Sequence, residues 1–242
     1  MKIKVVLSLF LLISASFAAF TVDVESGIVF TGYNDARIPN DGGTLLSLSD
    51  ELKSDPQVFG RLLLTYDIAP SHHISALFAP LTIKPTGSVN REVVFGDATF
   101  PANTPLDAVY KFNSYRLTYR YDLVRQTDLN FGLGLTLKVR DAEIKVSSAS
   151  QSASKTDLGF VPLINFKLDW DFAKPVGLLF AGDALAAPQG RAEDVLAALT
   201  FRLSPMFRLH GGYRLLEGGA DAQTVYTFSM FHYAVAGVEM FL

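Results

Sequence analysis

The last seventeen residues, YTFSMFHYAVAGVEMFL from Tyr226 to Leu242, constrain the chain most. Counted back from the end, Ala234, Ala236, Val238, Met240 and Leu242 are apolar, while Tyr233, Val235, Gly237, Glu239 and Phe241 alternate with them. A period of two is the mark of a strand with two different faces. One face is uniformly apolar, yet the other carries a carboxylate at Glu239. The stretch predicts a strand whose partner is the first strand, so that the sheet has no free edge.

The same alternation recurs upstream. Runs over 20–33, 58–69, 73–84, 108–122, 129–140, 158–172, 176–187, 195–203 and 207–216 read as strands, and with the terminal run they make ten. The 129–140 run is the clearest, with Leu129, Phe131, Leu133, Leu135, Leu137 and Val139 opposite Asn130, Gly132, Gly134, Thr136, Lys138 and Arg140. Pro80 interrupts the third run, which predicts a bulge or irregular edge there. Connections after odd-numbered strands read as long, above all 34–57 and 85–107, and those after even-numbered strands as a few residues. LLSLSDEL is compatible with one helical turn, REVVFGDATF with an extension of the third strand beyond the membrane or a small hairpin, and SSASQSASKTD with a solvated polar tip.

At the other end, Lys2 and Lys4 precede a short apolar run from Val5 to Ile13 and the small-residue pattern Ser16-Phe17-Ala18. This describes a secretory signal peptide over residues 1–18, cut after Ala18, followed by one domain over 19–242. No later segment is apolar for long enough to form a membrane helix. The chain has no cysteine, which excludes disulfides, thiolate metal sites and a cysteine nucleophile, and its formal net charge of −3 gives no basic nucleic-acid surface.

Aromatic placement separates a membrane barrel from a soluble one. Tyr66, Tyr119, Tyr121, Phe131, Trp170, Phe172 and Phe201 share the apolar face near the short turns, and Phe30, Tyr213, Tyr226 and Phe228 lie toward its other end, as two interfacial girdles would. The whole of 19–242 resembles the small Gram-negative outer-membrane β-barrels of the OmpA-like and OmpW-like class. FNSYRLTYRYD and YRLLEGGAD also resemble a subgroup of such proteins. The resemblance implies an all-β, single transmembrane antiparallel up-and-down β-barrel with long extracellular loops and short periplasmic turns. It further implies insertion by the barrel-assembly machinery through the C-terminal strand, contact with outer-membrane lipid and lipopolysaccharide, and a monomer. It carries no catalytic motif.

Parity directs Arg61, Arg116, Arg120, Lys138, Arg140, Lys167, Arg202, Arg208 and Arg214 into the lumen, answered by Asp23, Glu25, Asp67, Asp169, Asp183 and Glu239. Arginine forks onto carboxylates fill a narrow barrel and keep buried charges paired. A salt-bridged interior with a structural or surface-binding role is therefore the first expectation, and a narrow porin-like channel for small solutes the alternative. Arg191, Glu193 and Asp194 read as rim charges in a loop. No cofactor or metal is expected: the acidic rim has no calcium-loop spacing, and His72-His73 falls on a turn.

Three enzyme readings are weaker. A protease using a carboxylate and a histidine at the mouth requires a histidine near the outer rim, whereas His210 lies near the periplasmic turn. Ser229, His210 and Asp183 are too far apart along their strands to form a triad. Ser26 and His232 share outward parity on the first and last strands, which makes a lipid-facing hydrolase dyad conceivable if they meet; a bulge turning His232 inward is the competing expectation.

Overall fold

The computed structural model describes residues 19–242, and the leader expected over 1–18 lies outside the described residues. Ten long strands form an antiparallel meander: β1 (Phe20–Arg37), β2 (Gln57–Ala69), β3 (His72–Ala79), β4 (Leu106–Arg125), β5 (Leu129–Ser147), β6 (Ser152–Ala173), β7 (Val176–Ala187), β8 (Gly190–Arg202), β9 (Phe207–Ala222) and β10 (Val225–Phe241). Each pairs with the next, and β10 pairs with β1 from Thr21↔Phe241 to Arg37↔Tyr226, closing the barrel. Backbone bonds between Phe20 and Leu242, 2.8 and 3.1 Å long, finish the seam.

The side-chain distribution is the inverse of a soluble protein's. Leu135, Phe160, Leu199 and Val238 are exposed on the outer surface, whereas Arg116, Lys138, Asp194, Arg208 and Glu239 are buried inside. An apolar exterior around a charged interior needs lipid outside. Tyr66, Tyr119, Tyr121, Trp170, Phe172 and Phe201 are exposed beside the short turns, with Phe30 and Tyr213 toward the other end of the same surface.

Several strands outrun their sequence signal. β5 and β6 meet at Ser147↔Ser152, β7 and β8 at Ala187↔Gly190, and β9 and β10 at Ala222↔Val225. Three of the five outer connections are therefore tight turns. SSASQSASKTD is mostly the start of β6, and APQGRAED supplies the turn and the first residues of β8. Above the bilayer both faces of a hairpin are wet, so nothing there enforces apolar alternation.

The first two outer connections remain long. LLSLSDEL forms an extended pair at Leu46–Ser47 and a turn, not a helical turn. REVVFGDATF does form a hairpin, Val93–Phe95 with Ala98–Phe100. β3 ends at Ala79, just before Pro80, and short segments at Thr82–Ile83 and Thr86–Gly87 continue along the edge of β4. These connections fill the wall above β2 and β3 and enclose an apolar core: Leu46, Leu48, Leu52, Ile83, Val93, Phe95, Phe100 and Leu106 are all buried, together with Val146 of β5. The 34–57 and 85–107 segments are thus packed structure.

Candidate functional site

Asp194 lies at the centre of the barrel interior. It accepts from three guanidinium groups: Arg61 Nη2 at 3.0 Å, Arg116 Nη2 at 2.6 Å and Arg214 Nη1 at 2.6 Å. Arg116 also reaches Asp183 at 2.7 Å, and Arg214 grips both oxygens of Glu25 at 2.6 and 2.7 Å. Arg61 Nε lies 3.3 Å from Glu25. Thr136 and Asn165 donate to Asp183 at 2.6 and 2.9 Å. Every strand except β3 and β10 contributes a side chain to this lattice, which suits arginine's planar fork better than any single point charge.

Three further groups lie nearer the periplasmic end. Arg208 binds Asp169 through two bonds of 2.7 Å and also pairs with Glu239, while Lys167 stands 4.0 Å from Asp169 and 3.9 Å from Glu239. His210 Nε2 is 2.9 Å from Asp23. Gly237 makes this possible, because a Cβ there would overlap the imidazole ring. His73 bridges Asp67 at 2.6 Å and Asp122 at 2.8 Å, with Arg120 3.5 Å from Asp122. Arg202 is half-exposed at the rim, 3.8 Å from Asp171.

The outer end has its own pairs. Arg140 binds Asp157, Lys111 lies 2.8 Å from Asp141, and Arg191 lies 2.6 Å from Glu217, which also accepts from Tyr33. In the packed loops Arg91 grips both oxygens of Glu51, and this guanidinium holds the Glu51 carboxyl below its ordinary range.

Two cavities among the described residues have no lining residue in common. A small one, about 100 Å³, lies among Glu25, Arg61, Arg120, Lys167 and Glu239. A larger one, about 530 Å³, lies above the Asp194 lattice among Phe112, Lys138, Ile144, Leu216 and Tyr110.

Of the residues singled out by parity, Glu25, Arg61, Arg116, Asp183 and Arg214 converge on one lattice. Arg120, Lys167 and Glu239 belong to the lower clusters, Arg140 to an outer pair and Arg202 to the rim. Lys138 is buried but makes no ion pair among the described residues; its Nζ sits 4.4 Å from the centre of the Phe112 ring. Asp194, read as a rim residue, is the hub. The available signal was parity: counting back by twos from Arg202 through Thr200, Ala198 and Leu196 arrives at Asp194.

The Ser26 and His232 pair does not meet. Ser26 stands opposite Ala236, and His232 opposite Phe30, so four residues or about 13 Å of strand separate them. Ser26 Oγ donates to the Phe59 carbonyl at 2.7 Å, and His232 Nδ1 is 2.5 Å from the Tyr213 hydroxyl. The nearby bulge falls on β1 between Thr31 and Tyr33, and His232 keeps its outward parity over Gly32 rather than turning inward. His72 and His73 are at the β2–β3 turn and His210 is near the floor, so no histidine lines the outer mouth. Asp23, Glu25 and His210 bring potential ligand atoms within 4.8 Å of one another. Arg214 and Arg61 already neutralise Glu25 and would repel a cation.

No protein-family model and no curated protein sequence matches the chain. Among solved structures it is similar to the outer membrane protease OmpT from Escherichia coli, with a TM-score of 0.60 at 10% identity over 93% of this chain and 97% of that one. It is also similar to Ail, the attachment invasion locus protein of Yersinia pestis, with a TM-score of 0.42 at 14% identity over 91% and 99%. Identities this low speak for fold alone. The class is the small outer-membrane β-barrel: ten strands, closed, polar within and apolar without.

Proposed function

We propose that this is an integral protein of the Gram-negative outer membrane whose lumen is closed by paired side chains, with a structural or surface-binding role carried by the face built from the two long loops. The observation that carries this reading is the Asp194 lattice, which spans the lumen with side chains from eight strands between two cavities that share no lining residue. A pathway for solutes would have to break several charge-assisted bonds at once, each costing about 1.5–3 kcal/mol. In the same reading the segment before Ala19 is a cleaved leader, the barrel-assembly machinery engages β10, and lipid with lipopolysaccharide covers the belt. Purified protein in planar bilayers tests it. Closed traces with rare flickers are expected, whereas steady openings whose conductance responds to Arg116→Ala would establish a channel instead.

A further inference from the structure

The larger cavity is built differently from the lattice beneath it. Lys138 of β5 lies in its floor, only 2% exposed, and makes no hydrogen bond or ion pair among the described residues. The reason is local: its cross-strand neighbour is Arg116, and that guanidinium takes both nearby carboxylates, Asp183 and Asp194. The other charges facing Lys138 offer no substitute, because Arg140 is a second cation whose partner is Asp157. The ring of Phe112 covers one side of the ammonium group, 4.4 Å from Nζ to its centre, and Lys138 is among the residues lining the cavity. A buried ammonium whose N–H donors have no partner is costly without an anion.

The walls around it are mainly apolar, contributed by Phe112, Ile144, Val161, Leu185 and Leu216. Five basic side chains line the chamber against three acidic ones, and two of those acids, Asp157 and Glu217, are already held by Arg140 and Arg191. At about 530 Å³ the chamber falls in the range of small-molecule sites, roughly 300–1,000 Å³.

The barrel wall is also incomplete here. Pairing between β6 and β7 ends at Ile164↔Ala184, although β7 runs on to Ala187 and β6 to Ser152. Pro162, which has no N–H to give a neighbouring strand, stands just above that point. The chamber is lined there by Phe160, Val161, Pro162, Leu185 and Ala187. Nine residues of strand separate Ile164 from Ala173, so the gap begins about 21–24 Å above the turn for a strand tilted by about 35–45°. That is the outer edge of the apolar band. Phe160 and Leu158, both strongly exposed, flank it.

We propose that this chamber is a binding site for a small amphipathic monoanion, an acyl or aryl carboxylate, with Lys138 as the counter-ion of the carboxylate and the apolar walls holding the body. A single buried ammonium suits one carboxylate; a phosphate or sulfate ester would call for an arginine fork or several donors.

The test uses the full barrel in lipid nanodiscs, titrated calorimetrically with decanoate and with decanol, empty nanodiscs serving as the blank. Decanoate binds saturably with one site per barrel, and decanol at least tenfold more weakly. Lys138→Met weakens decanoate at least tenfold and leaves decanol unchanged, while Lys138→Arg stays within about threefold of wild type. Heat-modifiable migration on gels reports that each variant is folded. Should Lys138→Met not fold, Leu185→Trp, which narrows the chamber at its half-exposed rim, loses decanoate instead. Equal binding of decanoate and decanol, no saturable signal above empty nanodiscs, or unchanged decanoate affinity in folded Lys138→Met or Leu185→Trp overturns the proposal.

Discussion

Replacing Asp194 is the sharpest test of how the interior is held. In Asp194→Ala, three guanidinium groups lose one carboxylate at once, from contacts of 3.0, 2.6 and 2.6 Å. Three charge-assisted bonds at about 1.5–3 kcal/mol each set an upper limit of about 5–9 kcal/mol. The realised loss is smaller, because Glu25 retains Arg61 and Arg214, Asp183 retains Arg116, and water can enter from the adjoining cavities. Breaking a buried pair while leaving its partners charged costs about 3–5 kcal/mol, and that is the expected destabilisation. Asp194→Asn keeps the shape and one acceptor, so it should lose less. The assay is reversible urea unfolding of the barrel in lipid vesicles, followed by tryptophan fluorescence of Trp170 and by gel mobility, with the double mutant Asp194→Asn/Arg116→Gln closing a cycle. A loss below about 1 kcal/mol for Asp194→Ala, or strict additivity in the cycle, would mean that the lattice does not act as a unit.

Three other outcomes follow from the same structure. Leu135→Arg introduces a charge on the outer face, about 15 Å above the periplasmic turn; it should cost about 2–4 kcal/mol in vesicle unfolding, and a neutral result would deny lipid at that position. Phe95→Ala empties a fully buried position in the loop core, so about 3–5 kcal/mol of local stability disappears, read as lost amide-exchange protection over 44–53 and 86–100, while the unfolding midpoint of the barrel stays within experimental error. The Glu51 carboxyl titrates below its ordinary value because of Arg91, so the clamp contributes above about pH 4.3 and is lost as pH falls through the lower folded value. With both side chains partly exposed, no more than about 1 kcal/mol is at stake; protease accessibility of the loops should rise on acidification in wild type but not in Glu51→Gln.

The strands were legible because lipid on one side and ion pairs on the other impose a period of two. That signal fades where the environment stops being two-sided, which is why Ser152–Asp157, Gly190–Asp194 and Glu217–Ala222 read as loops although all belong to strands. Asp194 was lost with its segment, as its neighbours Pro188, Gln189 and Gly190 have turn composition. Closure of β10 on β1 was readable from parity, but the stagger across the seam was not, and it is the stagger that separates Ser26 from His232. The loop core was visible in part, since Val93, Phe95, Ala98 and Phe100 alternate like a hairpin. That it packs on Leu46, Leu48 and Val146 depends on contacts between distant segments, for which a single sequence carries no local mark.

The buried cluster under the two long loops also bears on how the outer rim could meet a partner. Over β2 and β3 the rim is a preassembled surface, anchored by Phe95, Phe100 and Leu52 and clamped by Arg91 on Glu51, whereas the three remaining hairpins end in short tips. A molecule docking on the anchored side meets groups already fixed in place and loses little loop entropy on association. Shape on that side can therefore be selected rather than induced, and a change in recognition there can come from surface residues alone, without refolding what lies beneath.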